Sequence, residues 1–353
     1  MKRIGFIYEK IIDKNNIKRA ILNASRGKKK RRNVRNIINN INFYVNDIYI
    51  ILKEEKFIPN EYKKIKIMDG VRKKERIIFK PKFYPDQIIH WCLIQQIEPI
   101  IMKGMYNYNC ASIKNRGGLY GAKYIKKILV KDRRNTKYCL KLDIKKFYPS
   151  INKEILKRKF RGKIKDIKVL DLIDKIIDSS ESGVPIGNFT SQWFANFFLQ
   201  DLDHFIKEEL KVPYYIRYMD DMLLFHRNKK ELHKIKDKIE IFLKKEDLEL
   251  KSNWQLFKTD SRPVDFIGYR FYRGYTTLRS SNFLRLKRRI KKIHKKDIPK
   301  LKDCSAIISY DGWLKNTDSY NIKKKYIEKY VNIKKCKEVI SNESKKQYKT
   351  PKI

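Results

Sequence analysis

Tyr218-Met219-Asp220-Asp221 sets two carboxylates side by side, with Ile216 before them and Leu223-Leu224-Phe225 after them. Adjacent negative charges in a partly apolar setting raise each other's pKa, so a fold that keeps them needs something to offset the repulsion. A divalent cation does this by neutralising both. Asp is also common in ordinary surface turns, but a surface turn has no need of apolar strands on both sides. A further acid, Asp143, closes an apolar run in Lys141-Leu-Asp143-Ile-Lys-Lys-Phe-Tyr148. An adjacent pair of carboxylates with a third from another strand meets the demand of a two-metal site, which holds its ions about 3.5–4 Å apart and leaves an open approach for a phosphate. Mg²⁺ suits such a set because it takes carboxylate and phosphate oxygens while keeping waters; two ions are expected, with Mn²⁺ as the alternative.

The elements that must position these acids alternate in type. Tyr138–Ile144 reads as a buried strand, and Tyr214–Tyr218 and Met222–Phe225 as short strands joined at Met219-Asp220-Asp221. Between them, Ile155–Ser179 is largely helical, and the loop Gly183-Val-Pro-Ile-Gly187 leads into an apolar helix over Phe189–Leu210. Upstream, helical patterns at Ile7–Asn23 and Asn33–Glu54 flank the basic run Lys28-Lys-Lys-Arg-Arg32. Lys63–Met68 and Arg72–Phe79 alternate around Asp69-Gly70, a dipeptide suited to a tight hairpin turn. That hairpin is basic, with Lys63, Lys64, Lys66, Arg72, Lys73, Lys74 and Arg76, and Pro85 can begin a helix through Ile88–Met102. Downstream come a charged helix at Lys229–Lys245 and a β-rich piece at Pro263–Leu278. Helical segments follow at 282–295, 304–316 and 320–333, with Trp313 and Tyr320 read as core aromatics, and then a frayed polar tail, Lys334–Ile353. The order predicts an α+β fold.

The 353 residues carry 85 Lys and Arg against 39 Asp and Glu, a formal net charge of +46. Self-repulsion of that size is relieved by a polyanion, and nucleic acid is the natural partner. With 42% hydrophobic and 12% aromatic residues the chain can bury a real core, which excludes wholesale disorder. Cys92, Cys110, Cys139, Cys304 and Cys336 contain no CxxC, and the five His have no metal-ligand spacing, which argues against zinc and against a disulfide framework. No run approaches the roughly 18 apolar residues of a membrane span, and there is no apolar leader, so a cytoplasmic protein is expected.

Taken in order, Leu142-Asp143-Ile-Lys-Lys-Phe-Tyr148, Gly183-Val-Pro-Ile-Gly-Asn-Phe-Thr-Ser-Gln192 and Tyr218-Met-Asp-Asp221 resemble the palm of reverse transcriptases. The resemblance extends upstream to Arg76-Ile-Ile-Phe-Lys-Pro-Lys82, similar to a fingers motif, and downstream to Val264-Asp-Phe-Ile-Gly-Tyr269, similar to a primer-grip hairpin. It implies a right-hand polymerase fold: a basic helical extension at 1–60, fingers at 61–135, palm at 136–280, a helical thumb at 281–333 and a tail at 334–353. It implies RNA-directed DNA synthesis from dNTPs, with Asp143, Asp220 and Asp221 as catalytic metal ligands and the Ile144 carbonyl as a further ligand. Arg76 and Lys82 match positions that clamp the triphosphate. Tyr148 matches a steric gate against the ribose 2′-hydroxyl, and Gly187 a point of close backbone approach at the nascent base pair. Ser191, Gln192, Tyr218, Met219 and Gly268, with Arg285 and Arg288 of the basic C-terminal helix, fall where template or primer is held. The basic segment 27–32 is an expected RNA contact.

Two departures matter. Ile186 stands where many relatives carry Gln, a form similar to diversity-generating retroelement and defence-associated bacterial enzymes, and it is expected to relax base discrimination. Gln255 stands where many have a Lys, leaving Lys251 or Lys258 to substitute. The expected partners are an RNA template or structured noncoding RNA, dNTPs and the DNA product, in antiviral defence; a homo-oligomer is compatible with the sequence. The alternatives are a diversity-generating retroelement enzyme, template-independent or protein-primed synthesis from one of the 22 Tyr hydroxyls, and a catalytically silent RNA-binding scaffold.

Overall fold

Side chains that compete for backbone partners break the N-terminal helical patterns. α1 (Tyr8–Ile12) stops at Asp13, whose carboxylate accepts from Asn16 N and so caps α2 (Lys14–Ala24). α3 (Arg32–Asn39) and α4 (Ile41–Lys53) likewise meet at Asn40, so four helices stand where two were expected. The computed structural model describes residues 3–69, 74–295 and 300–348. β1 (Lys63–Asp69) pairs antiparallel with β2 (Lys74–Lys80), Lys63 opposite Lys80 and Met68 opposite Glu75. Gly70, Arg72 and Lys73 of the expected turn lie outside the described residues. Pro85 sits in a π turn, Phe83–Gln87, and α5 (Ile88–Met102) begins after it.

α6 (Gly118–Lys131), which the apolar pattern alone did not reveal, precedes β3 (Tyr138–Asp143). Then follow α7 (Phe147–Ser150), α8 (Lys153–Arg161), α9 (Ile167–Asp178), α10 (Phe189–Phe198) and α11 (Gln200–His204), the last running into a π turn at Phe205–Glu209. β4 (Tyr214–Tyr218), β5 (Asp221–His226), α12 (Lys229–Lys245) and β6 (Gln255–Lys258) complete the middle of the chain. Their strands form a four-stranded sheet in the order β4-β5-β3-β6. β7 (Val264–Phe266), β8 (Tyr269–Phe271) and β9 (Thr276–Leu278) form an antiparallel three-stranded sheet. α13 (Ser280–His294), α14 (Leu301–Leu314), α15 (Tyr320–Lys323) and α16 (Ile333–Tyr348) end the fold.

The chain divides into two compact units. The first comprises Met1–Lys114, Lys141–Leu224 and Lys230–Gln255, with α2 packed on α4 and α5, and α5 on α10. The second comprises Asn115–Leu140, Phe225–Lys229 and Leu256–Ile353, where α14 packs on α13 and α16. Two expectations fail in the second unit. Residues 334–348 are helical rather than frayed, because Ile333, Cys336 and Ile340 recur at helical spacing and Cys336 is buried in hydrogen-bonding contact with Cys304 of α14. Trp313 is 39% exposed and Tyr320 75% exposed, so neither is a core aromatic; Cys304, Ile307 and Leu314 are the buried apolar side chains of α14 instead. Residues 349–353 of the expected tail lie outside the described residues.

Candidate active site

The end of β3 is pinned to the double acid by its own backbone. Ile144 N donates to the Asp220 carbonyl at 3.3 Å, Lys251 N to the Asp143 carbonyl at 2.8 Å, and Lys145 N to the Glu249 carbonyl at 2.8 Å. Asp143 therefore lies between the Met219–Asp221 turn and the segment 249–251, so the structure brings the three predicted acids together. Ile144 itself is fully buried. The turn is tight enough to force Met219 to φ +54°, a left-handed conformation rare for a side chain of this kind.

That conformation is held from below. Arg217, on β4, is fully buried and donates Nη1 to the Met219 carbonyl at 3.2 Å. Its Nε and Nη2 grip the equally buried Asp203 at 2.8 and 2.5 Å, and Tyr215 Oη donates to the same carboxylate at 2.8 Å. Sequence reasoning missed this pair. A lone Arg inside the strand Tyr214-Tyr-Ile-Arg-Tyr218, two residues before the acids, was the available signal.

The acids remain electrostatically strained. Burial, followed by the charge of Asp143 and then that of Asp221, pushes the Asp220 carboxyl up to about 6, against the opposing pull of Lys251. Lys251 Nζ stands 2.5 Å from Asp143 Oδ1, and Lys141 Nζ 3.6 Å from Asp221 Oδ1. Lysines thus supply part of the counter-charge that the sequence argument gave to a metal. Among the described residues no three His, Cys, Asp or Glu side chains already converge as a ligating cluster. The donor set nonetheless fits a hard divalent ion: its side-chain donors are all carboxylate oxygen, and Asp220, raised by burial and then by the neighbouring acids, would be relieved by a cation. Of the two lysines offered in place of Gln255, Lys251 reaches the acids, whereas Lys258 ends β6 in the second unit.

Tyr148 stands beside this group. Its hydroxyl meets Met219 Sδ at 3.5 Å, and burial, then the charge of Asp220, push its pKa up to about 12. The Arg76 guanidinium pulls it the other way, so Arg76 lies within electrostatic reach of Tyr148. The loop 183–187 joins the same region: Val184 N donates to the Tyr148 carbonyl at 3.0 Å, and Phe79 N to the Ile186 carbonyl at 2.8 Å. Gly187 has φ +118°, and a Cβ there would lie 2.6 Å from Ile78 and 2.8 Å from the Phe79 carbonyl, so its close approach is to β2.

Other predicted residues stand elsewhere. Lys82 donates to Asn60 Oδ1 at 2.7 Å, beside the buried Asp86 whose carboxylate accepts from the Lys82 and Asn60 backbones. Ser191 is buried within α10 and cannot touch a template, because the helix starts at Phe189 and turns that position inward; Gln192 next to it is exposed. Tyr218 is 38% exposed while Met219 is buried. Gly268, at φ +88°, and the exposed Arg285 and Arg288 belong to the second unit.

Comparison with known proteins bears on this geometry. The family described as "Reverse transcriptase (RNA-dependent DNA polymerase)" matches residues 71–271. Retron Ec73 reverse transcriptase of Escherichia coli is 30% identical over 162 residues, covering 42% of this chain and 48% of that protein. Retron Se72 reverse transcriptase of Salmonella heidelberg (strain 579083-10) is 28% identical over 171 residues, covering 48% of this chain and 42% of that protein. The chain thus spans less than half the length of each of these curated relatives. Among solved structures, apo telomerase from Candida tropicalis aligns with a TM-score of 0.50 at 14% identity, over 84% of this chain and 62% of that one. That likeness is one of fold, and it agrees with an α+β right-hand polymerase architecture.

Proposed function

Since the chain belongs to the reverse transcriptase family, whose match spans residues 71–271, we propose that it copies an RNA template into DNA, with Asp143, Asp220 and Asp221 as the acids of a two-metal site. One observation carries the reading: the backbone bond from Ile144 N to the Asp220 carbonyl sets Asp143 beside the double acid, with the Tyr148 hydroxyl against Met219 of the same turn. Mg²⁺ bound there would activate a primer hydroxyl and stabilise the departing pyrophosphate. The protein's own part is to hold three carboxylates in place, the turn fixed by Arg217 and the strand end by Lys251. Arg76 approaches from β2 to meet the charge of a triphosphate, and the Tyr148 ring leaves no room for a ribose 2′-hydroxyl.

The organisation follows from this reading: extension 1–60, fingers 61–135, palm 136–280 and thumb from 281, to which α16 adds residues the sequence left as tail. The template is a dedicated noncoding RNA and the setting antiviral defence. Two bacterial retron reverse transcriptases among the relatives support a bacterial enzyme, and the net charge of +46 supports a stable RNA partner.

The test is dNTP incorporation on a primed RNA template with Mg²⁺. Wild type is expected to extend the primer, and the double variant Asp220→Ala, Asp221→Ala to lose extension altogether. The same assay with rNTPs checks the gate: Tyr148→Ala should admit ribonucleotides that wild type refuses. Extension surviving loss of both acids would overturn the site assignment. RNA recovered with the protein from its native locus identifies the template; a neighbouring variable-protein gene with a template repeat would instead mark a diversity-generating retroelement.

A further inference from the structure

A cavity of about 600 Å³ opens between the N-terminal helices and the base of the basic hairpin, and its lining does not include Asp143, Asp220 or Asp221. Its cations come from separate stretches of chain: Arg31 at the start of α3, Lys63 at the first position of β1, Lys80 directly opposite Lys63 on β2, and Lys82 just after β2, its ammonium already held by Asn60. Among the described residues Glu61 is the one acid of the wall, so positive charge is in excess. The crowding is felt by Lys28 behind the wall, whose pKa is held below the usual lysine range by burial and by the charges of Arg31 and Lys80. Lys28 is nonetheless fixed there, donating to Gln87 Oε1 at 2.5 Å and lying 5.6 Å above the Phe83 ring. An anion in the cavity would relieve that repulsion.

The lining is also aromatic. Tyr44 and Tyr84, both half-buried, stand edge to face with centroids 5.2 Å apart, and Asn36 donates to the Tyr44 hydroxyl at 3.3 Å. Cations beside exposed rings are how proteins hold unpaired strands: phosphates track the charge and bases stack on the rings. A volume of this size suits a ligand no larger than a nucleotide. A lipid surface is the poorer match, since the rings line a concavity rather than project from a face.

We propose that this cavity takes one nucleotide of a single-stranded RNA, its base against Tyr44 and Tyr84 and its flanking phosphates on Arg31, Lys63 and Lys80. The proposal rests on the reverse transcriptase reading only in taking RNA as the strand. The test is therefore binding, with no dNTP or metal present, so that a failure of polymerisation does not register in it. A fluorescein-labelled single-stranded oligoribonucleotide of mixed sequence is titrated with the full chain by anisotropy, over a series of salt concentrations. Tyr44→Ala is expected to weaken binding roughly five- to hundredfold, with the salt slope kept, while Tyr44→Phe binds as wild type. Lys63→Gln with Lys80→Gln should shallow the slope by about 1.4, two phosphates at about 0.7 each. Unchanged affinity and slope in these variants would overturn the proposal, as would a Tyr44→Phe loss equal to that of Tyr44→Ala. So would ATP or anionic phosphatidylserine vesicles binding in a Tyr44- or Lys80-dependent way while RNA affinity stayed the same.

Discussion

Arg217 and Asp203 are each 0% exposed, and together with Tyr215 they tie the floor of the acidic turn to the body of the first unit. Removing one charge of such a pair leaves the other buried without compensation, which costs about 3–5 kcal/mol, whereas replacing both by well-packed apolar groups is often close to neutral. Arg217→Met should therefore lower the urea unfolding free energy by that amount, and adding Asp203→Leu should recover much of it. Arg217→Lys should not restore activity fully, because an ammonium cannot fork onto Asp203 and still reach the Met219 carbonyl. Equal unfolding free energies for wild type and Arg217→Met would show that the pair does not bear on the turn. At this scale the sequence was most legible where chemistry demanded rare side chains. Asp143, Asp220 and Asp221 could be paired from residue type and apolar setting alone, because their chemistry is local, whereas Tyr148 was marked out only by the family resemblance. Ser191 and Lys82 could not be placed, since whether a polar side chain faces inward or out is decided by packing that no single residue announces.

α5 shows how an element constrains what its residues can do. Ile88, Ile89, Cys92, Leu93, Ile94 and Ile97 are all fully buried, so the helix is apolar nearly all round and His90 is enclosed with them. Neither ring nitrogen of His90 finds a hydrogen-bond partner among the described residues, and burial holds its pKa down at about 3 from the ordinary 6.5. The unfolded chain takes up a proton there near pH 6.5, and the folded one only near 3. Stability should thus be fully present above 6.5 and fall as the pH drops through that window. His90→Leu should leave stability at neutral pH unchanged or higher and flatten the acid limb, read by urea unfolding at neutral pH and near pH 4. An acid limb just as steep in His90→Leu would mean that other groups govern it. Helix boundaries were the less legible part. Asp13 and Asn40 divided runs whose apolar period continued across them, and α16 was hidden because Ile333, Cys336 and Ile340 are too few to stand out among lysines. Lys229–Lys245, whose apolar stripe is regular, is helical over the span its pattern gives.

Across the whole molecule the governing quantity is charge. A net +46 could be the mark of a Lys-rich composition spread over a solvated surface, or of groups placed to meet phosphates. Arg285 and Arg288 are exposed on one helix of the second unit, and Lys63, Lys80 and Arg31 line one cavity of the first, so both units carry cations open to solvent. Diffuse charge and placed charge predict different salt responses. Each phosphate neutralised on a single strand releases counterions and contributes about −0.7 to the slope of log affinity against log salt. If five or more phosphates are met at once, the slope for single-stranded RNA should be about −3.5 or steeper. Neutralising a placed cation should then change it by one phosphate's worth. For diffuse charge, any exposed lysine would serve equally, and Lys229→Gln on α12 should weaken binding as much as Arg288→Gln on α13. Anisotropy titrations of wild type, Lys229→Gln and Arg288→Gln over the same salt range separate the two. A lower slope only in Arg288→Gln would show that the basic helix of the second unit tracks a nucleic-acid backbone, while identical slopes in all three would assign the charge to composition.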